Sequence, residues 1–279
     1  MNGETRYIGQ GAGKMTLDEA YTKLPVNSTL VFDPGVYTIP GLSDASGLSF
    51  EGAGENADDV QINANFMLDH DSLSLKNLHL NGNLEKLNCV NVLKHSSLTA
   101  SNVSFTNSFD TCPVAVSHSR ATLIDCSLTR SPTIHNWLND TALVAVDDSQ
   151  VEATGCDFGS IGLMNARMSL GTSLVRTVVR VEGSELKSDA LYIADIPNTH
   201  DYFYITDHSV VVIGQLHLPD PAEEDTPVMG DIIDSEIHVQ TSNIDADRIL
   251  FFQNLNRTSV VDIDGALIRT NPDKAELDQ

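Results

Sequence analysis

The sequence predicts an all-β fold, a single-stranded parallel β-helix of about nine coils with a short capping helix at its N-terminus. Three observations carry this. Aromatics are only 6% of the 279 residues, and a chain rich in Val, Ile, Leu, Ser, Thr, Asn and Asp suits short strands joined by tight turns. One short pattern recurs along most of the chain. The helix signal is confined to the segment before Pro25, where a stack of strands needs its open edge covered.

The elements follow in order. Thr16-Leu17-Asp18-Glu19 is a capping box, and Leu17, Ala20, Tyr21 and Leu24 line one face of the short helix that it opens. Leu30-Val31-Phe32 then reads as a strand. From Leu68 the repeat begins. Leu68-Asp69-His70-Asp71-Ser72-Leu73 aligns with Leu93-Lys94-His95-Ser96-Ser97-Leu98, and the frame returns around His118, Asp148, Gly183, His208, Asp234 and Thr258. Each copy holds three alternating segments, such as Val114-Ala115-Val116, Leu73-Ser74-Leu75 and Val103-Ser104-Phe105, and alternation means strands with one buried face. Before the third segment stand Asn77, Asn102, Asp125, Gly155 or the pair Asp189-Ala190, mostly types that tolerate left-handed backbone, so a sharp bend is expected there. The long steps between markers are expected to carry their extra residues in the return connection, at Ser131 to Thr141 and at Gly159 to Ser173. Cys89 with Cys112, and Cys126 with Cys156, are separated by the marker step and are expected to stack as free thiols in an inward ladder, the alternative being a strained disulfide between coils. Every segment from Thr16 to Ile268 fits one stack, so residues 1–279 read as a single domain. Residues 1–62 form the cap and first coil, 63–268 the coils and 269–279 a tail.

Charge excludes several functions. With 39 Asp plus Glu against 16 Lys plus Arg, a net charge of -23 will not hold a nucleic-acid backbone. No window reaches the length of a membrane span, and Met1-Asn2-Gly3-Glu4 has neither the basic start nor the apolar stretch of a secretory signal. The chain reads as soluble, with cytoplasmic and extracellular placement both open.

From Thr16 to Ile62 the order is helix, strand, Asp33-Pro34-Gly35-Val36-Tyr37, strand, Phe50-Glu51-Gly52-Ala53-Gly54 and a Val60-Gln61-Ile62 strand. Together with the repeat, this resembles the pectin lyase-like superfamily of right-handed parallel β-helices. The superfamily includes lyases, hydrolases, esterases, epimerases, adhesins and phage tail parts, so the resemblance implies fold and not activity. The Gln-Asp-Thr-Leu and Asp-Phe-Ile-Phe-Gly stretches of pectin methylesterases are absent, and Phe109-Asp110-Thr111-Cys112 lacks the Gln. The Asn-Thr-Asp and Gly-His-Gly motifs of polygalacturonases are absent as well, so no catalytic residue carries over.

The resemblance implies a polysaccharide groove along the first strand of each coil. One residue before each marker stand Asp69, Lys94, Ser117, Asp147, Glu182 and Asp207; three before stand Met67, Val92, Ala115, Ala145, Arg180 and Ile205. Asp147, Glu182 and Asp207 are thereby expected on successive coils roughly 5 Å apart, with Arg180 beside them. Carboxylates so spaced suit general acid–base work or a shared Ca²⁺. His135 and Trp137 in Ser131 to Trp137, and Tyr202 in Asn198 to Tyr204, are the candidate sugar contacts, and the bland alternative is a solvated acidic rim. His70, His95, His118 and His208 share one position, where Asp148 and Gly183 also occur, so turn chemistry is preferred there over a metal ladder. The functional expectation is a protein that interacts with a polysaccharide or glycan, as lyase, glycoside hydrolase, binding module or structural element.

Overall fold

A computed structural model describes residues 3–22, 24–43, 45–82, 88–107, 111–130, 141–194, 202–219, 230–243 and 259–268. The described chain is nearly all β, and its strands pair in parallel across coils rather than within hairpins. Three ladders result. The first runs through Val60–Asp69, Val90–Leu93, Val114–Ser117, Leu143–Val146, Ile161–Met164, Val179–Glu182, Phe203–Thr206 and Gly230–Ile232. The second contains the N-terminal parts of Ser72–Asn81 and Ser97–Asn107, then Arg120–Ile124, Gln150–Thr154 and their successors to Val260–Ile263. The third holds the C-terminal parts of those longer strands together with Ser127–Arg130 and Asp157–Phe158.

Alternation decides what is inside. Phe66, Val90, Val114, Leu143, Ile161, Val179 and Phe203 share one inward column and are each 1% exposed or less. The capping box forms as expected: Thr16 Oγ1 accepts the Glu19 N–H, and Glu19 accepts the Thr16 N–H at 2.8 Å. The helix Leu17–Tyr21 then buries Ala20 over the end of the core. At the other end Ala266–Ile268 folds back antiparallel on Val260–Ile263.

Two types of turn set the coil. Between the second and third ladders Asn77, Asn102, Asp125 and Gly155 all have φ between 51° and 65°. Asn102 donates to Asn77 Oδ1 at 2.7 Å, and Asn77 donates to the carbonyls of Gly52 and Gly54. Asp189-Ala190 departs from this pattern and has no left-handed residue. Between the first and second ladders His70, His95, His118, Asp148, Gly183, His208 and Asp234 are left-handed, as turn chemistry requires. The following serine makes the bond between coils. Ser96, Ser119, Ser184, Ser209 and Ser235 are buried, and each of these hydroxyls accepts an N–H from the preceding coil: Asp71, Ser96, Ala166, Ser184 and Ser209 donate at 2.9–3.1 Å.

The structure corrects the frame in two places. The interval from Asp148 to Gly183 is two coils, not one coil with a long connection at Gly159 to Ser173: Ile161–Met164 pairs with Leu143–Val146 on one side and Val179–Glu182 on the other. Only Gly159 and Ser160 join Phe158 to Ile161, so this coil is too short to register in a frame set by its longer neighbours. The second correction concerns the turn. Lys94-His95, Asp147-Asp148 and Asp207-His208 are pairs of left-handed residues, whereas His70, His118, Asn165 and Gly183 stand singly. The paired turns contain one more residue, which moves the preceding strand by one position relative to the marker. Cys112 shows the same slip: Val90 pairs with Val114, so Cys89 lies opposite Pro113. Cys126 and Cys156 do stack, since Ser127 pairs with Asp157, and both are free and buried.

Candidate functional site

The outer face of the first ladder follows from the register. Its central column is Asn91, Ala115, Val144, Gly162, Arg180, Tyr204 and Asp231, and the column at the strand ends is Leu93, Ser117, Val146, Met164, Glu182 and Thr206. Val92, Ala145 and Ile205, expected here, point into the core and are each 0% exposed. A shift of one residue exchanges the two faces of a strand, and the longer turns cause that shift.

Polar chemistry concentrates at one part of this face. Arg180 Nη2 donates to Glu182 Oε2 at 3.2 Å, with both side chains about one-third exposed. The guanidinium carbon of Arg180 also lies 5.1 Å from the ring centroid of Tyr204 on the next strand. Asp231 follows Tyr204 in register, and Thr206 follows Glu182. An arginine held by both a carboxylate and an aromatic face is fixed in direction while its remaining N–H groups stay available. Toward the preceding coils the face is apolar, with half-buried Val144 and Val146 and the exposed Met164.

Of the predicted acids, only Glu182 belongs to this face. Asp147, at φ 52°, and Asp207, at φ 59°, are the additional left-handed residues of their turns. Asp147 sits opposite Met164 and Asn165, one coil short of Glu182, so two strand spacings, roughly 10 Å, separate the coils of Asp147 and Glu182. Asp207 borders Gly183: a Cβ on that glycine would lie 3.3 Å from Asp207 Oδ2 and 2.6 Å from Asn165 Oδ1. The three acids therefore do not form a row. The predicted pairing of Arg180 with Glu182 is present; Asp147 lies two coils from them, and Asp207 stands on the next coil in the turn beside Gly183.

Tyr202 is 7% exposed and packs in the core, so its ring has no face for a sugar. His135 and Trp137 lie outside the described residues. Arg167, expected in a loop, belongs to the second ladder and faces Glu185 at 3.8 Å. Sequence reasoning missed Tyr204 and Asp231 as members of this face. Counting alternation outward from Phe203 and Ile205 would have found Tyr204.

Around the corner, between the first and second ladders, an open cleft of about 570 Å³ is lined by Asp148, Asn165, Arg167, Gly183, Glu185 and His208. The left-handed turn residues Asp148, Asn165, Gly183 and His208 are part of its lining. Lys187 holds the Glu185 carboxyl below the usual range, with Arg167 adding to the effect, so Glu185 is already engaged as an ion-pair partner. Among the described residues no three His, Cys, Asp or Glu side chains converge to hold a metal ion, and no helix is long and apolar enough to cross a membrane.

No protein-family model matches the sequence, and no curated protein matches it. Among solved structures the chain is similar to Escherichia coli YbhC, with a TM-score of 0.48 and 11% identity over 97% of this chain and 81% of the other. It is also similar to the pectin methylesterase from Aspergillus niger, with a TM-score of 0.43 and 12% identity over 90% of each chain.

Proposed function

We propose that the chain is a right-handed parallel β-helix forming one elongated domain, and that it binds a polysaccharide or glycan along the outer face of its first ladder. Parallel strands joined by crossover connections are right-handed in nearly all proteins, which supports the handedness. The observation that carries the function is the cluster of Arg180, Glu182 and Tyr204 on an open sheet face. A cation fixed against an aromatic ring and a carboxylate presents donors in a constant direction, and the adjoining apolar strip suits the C–H faces of sugar rings. Arg180 also supplies positive charge where a chain of net charge -23 would otherwise repel an acidic polymer.

Recognition is favoured over cleavage at this face. Glycoside hydrolysis needs two carboxyl groups flanking one bond; Asp147 is two coils from Glu182, and Asp207, on the next coil, belongs to the turn beside Gly183 rather than to the strand face. Binding is tested by titrating polygalacturonate and a neutral polysaccharide into the protein by calorimetry. Arg180→Ala and Tyr204→Ala are each expected to weaken binding about tenfold, the loss of one well-placed contact. Binding by both variants at parental affinity would overturn the assignment to this face.

A further inference from the structure

The third ladder carries a separate constellation on its outer face, built from three segments. Asp58 lies in the 3₁₀ turn Ala57–Asp59, which packs over the strands Ser72–Asn81 and Ser97–Asn107. His79 projects from the first of those strands and Thr106 from the second. Nδ1 of His79 is 3.3 Å from Oδ1 of Asp58, and Nε2 is 2.7 Å from Oγ1 of Thr106. With the Nδ1 proton directed to Asp58, Nε2 accepts the proton of the Thr106 hydroxyl. A hydroxyl, an imidazole and a carboxylate in that order activate an alcohol as a nucleophile.

The surroundings fit the same chemistry. The His79 side chain is 22% exposed and Thr106 is half-buried at the surface, while the Asp58 side chain is 80% exposed. Burial holds the His79 imidazole below the usual histidine value, with the Asp58 carboxylate opposing that shift, so the ring is neutral and able to take a proton at pH 7.

We propose that Thr106, His79 and Asp58 form an acyl-transfer centre that hydrolyses carboxylic esters through an acyl-Thr106 intermediate. In the first half-reaction Thr106 Oγ1 forms a bond to the ester carbonyl carbon while its proton passes to His79 Nε2. The carbonyl electron pair moves to the oxygen. The pair returns, the C–O bond to the alcohol breaks, and the departing oxygen takes the proton from His79. In the second half a water molecule attacks the acyl carbon, giving its proton to His79. The bond to Thr106 Oγ1 breaks, Thr106 recovers the proton, and a carboxylic acid is released. Asp58 is a positioning residue that fixes the ring tautomer. This centre is independent of glycan binding on the first ladder.

The test treats the full chain at pH 8 with a tagged alkyl fluorophosphonate, maps the modified residue by peptide mass, and follows hydrolysis of 4-nitrophenyl acetate in parallel. The label is expected on Thr106. Thr106→Ala and His79→Gln are each expected to lower labelling and hydrolysis about 100-fold or more, and Thr106→Ser to retain both with the label at position 106. Asp58→Asn is expected to lower the rate about tenfold or more and to shift the midpoint of its pH profile, an effect that a merely structural change would not produce. No label on the parent protein, a label on Ser104 in place of Thr106, or an unchanged rate in His79→Gln overturns the proposal. If Thr106→Ala or His79→Gln loses the parent's circular dichroism, Thr106→Ser decides: a folded Thr106→Ser without label at position 106 overturns it equally.

Discussion

Ser209→Ala is the sharpest probe of how the coils are held together. Ser209 is fully buried at the corner between the first and second ladders. Its hydroxyl accepts the Ser184 N–H at 3.1 Å and places its own proton between the carbonyls of Val181, at 3.1 Å, and Thr206. Alanine keeps the backbone and fills nearly the same volume, so the change is electrostatic rather than steric. It leaves the Ser184 N–H buried without its acceptor, at a cost of about 1–3 kcal/mol, while the two carbonyls lose a shared donor. We expect about 2 kcal/mol, read as a lower urea midpoint at constant slope. His208→Gly, one residue earlier, is the control. His208 has φ 59°, which glycine adopts without strain, so removing that side chain is expected to change stability by less than about 1 kcal/mol. If Ser209→Ala costs less than about 0.5 kcal/mol, or His208→Gly costs more than Ser209→Ala, the serine ladder does not hold the coils together.

Three further outcomes follow from the same geometry. Gly183→Ala is expected to destabilise by about 1–2 kcal/mol on backbone strain alone, because its φ is 56°, and the new Cβ would also meet Asn165 Oδ1 at 2.6 Å; an unchanged thermal midpoint would refute the turn assignment. Cys89, Cys126 and Cys156 are buried while Cys112 is half-buried, so an aromatic disulfide reagent is expected to titrate Cys112 rapidly in the native protein and the others only on unfolding; rapid reaction of all the thiols would contradict the inward ladder. In acid, burial of His79 means that the unfolded chain binds a proton that the folded chain resists, so stability is lost as pH falls through 6.5 toward the depressed folded value. Relief of the overall negative charge works in the opposite direction, so the measurement is the difference between the parent and His79→Gln, which is expected to grow in favour of the variant below pH 6.5.

The architecture was legible because the turns impose residue types. A left-handed turn accepts His, Asn, Asp or Gly, and a buried hydroxyl must follow wherever the N–H of the preceding coil needs an acceptor. The recurring His-Ser, Asp-Ser and Gly-Ser pairs record those two requirements, and the first residue of each pair was read as turn chemistry. The hidden part is length. Ile161 to Val175 forms a full coil with a connection of only Gly159 and Ser160, and nothing in its composition distinguishes it from an insertion. The Asn165-Ala166 pair disguises it further, since Ala166 places a methyl group where other coils carry the serine hydroxyl.

The candidate site was harder to read than the fold for a related reason. A core tolerates a shifted frame, because any strand alternates wherever counting starts. A surface does not. Asp147 and Asp207 were expected beside Glu182 because each precedes a marker by one residue, yet the marker pairs Asp147-Asp148 and Asp207-His208 each contain an additional left-handed residue. That residue is acidic for the same reason that Asn165 and Gly183 occupy the equivalent turns: Asp is among the few types that accept positive φ at low cost. The apparent row of acids is thus largely a row of turns, with part of the charge of -23 fixed there by backbone geometry. The side chains that do share a face, Arg180, Glu182 and Tyr204, emerge only when position is counted from the inward Val179, Val181, Phe203 and Ile205. In a stack of coils the buried column, not the turn, is therefore the ruler from which a surface site must be measured.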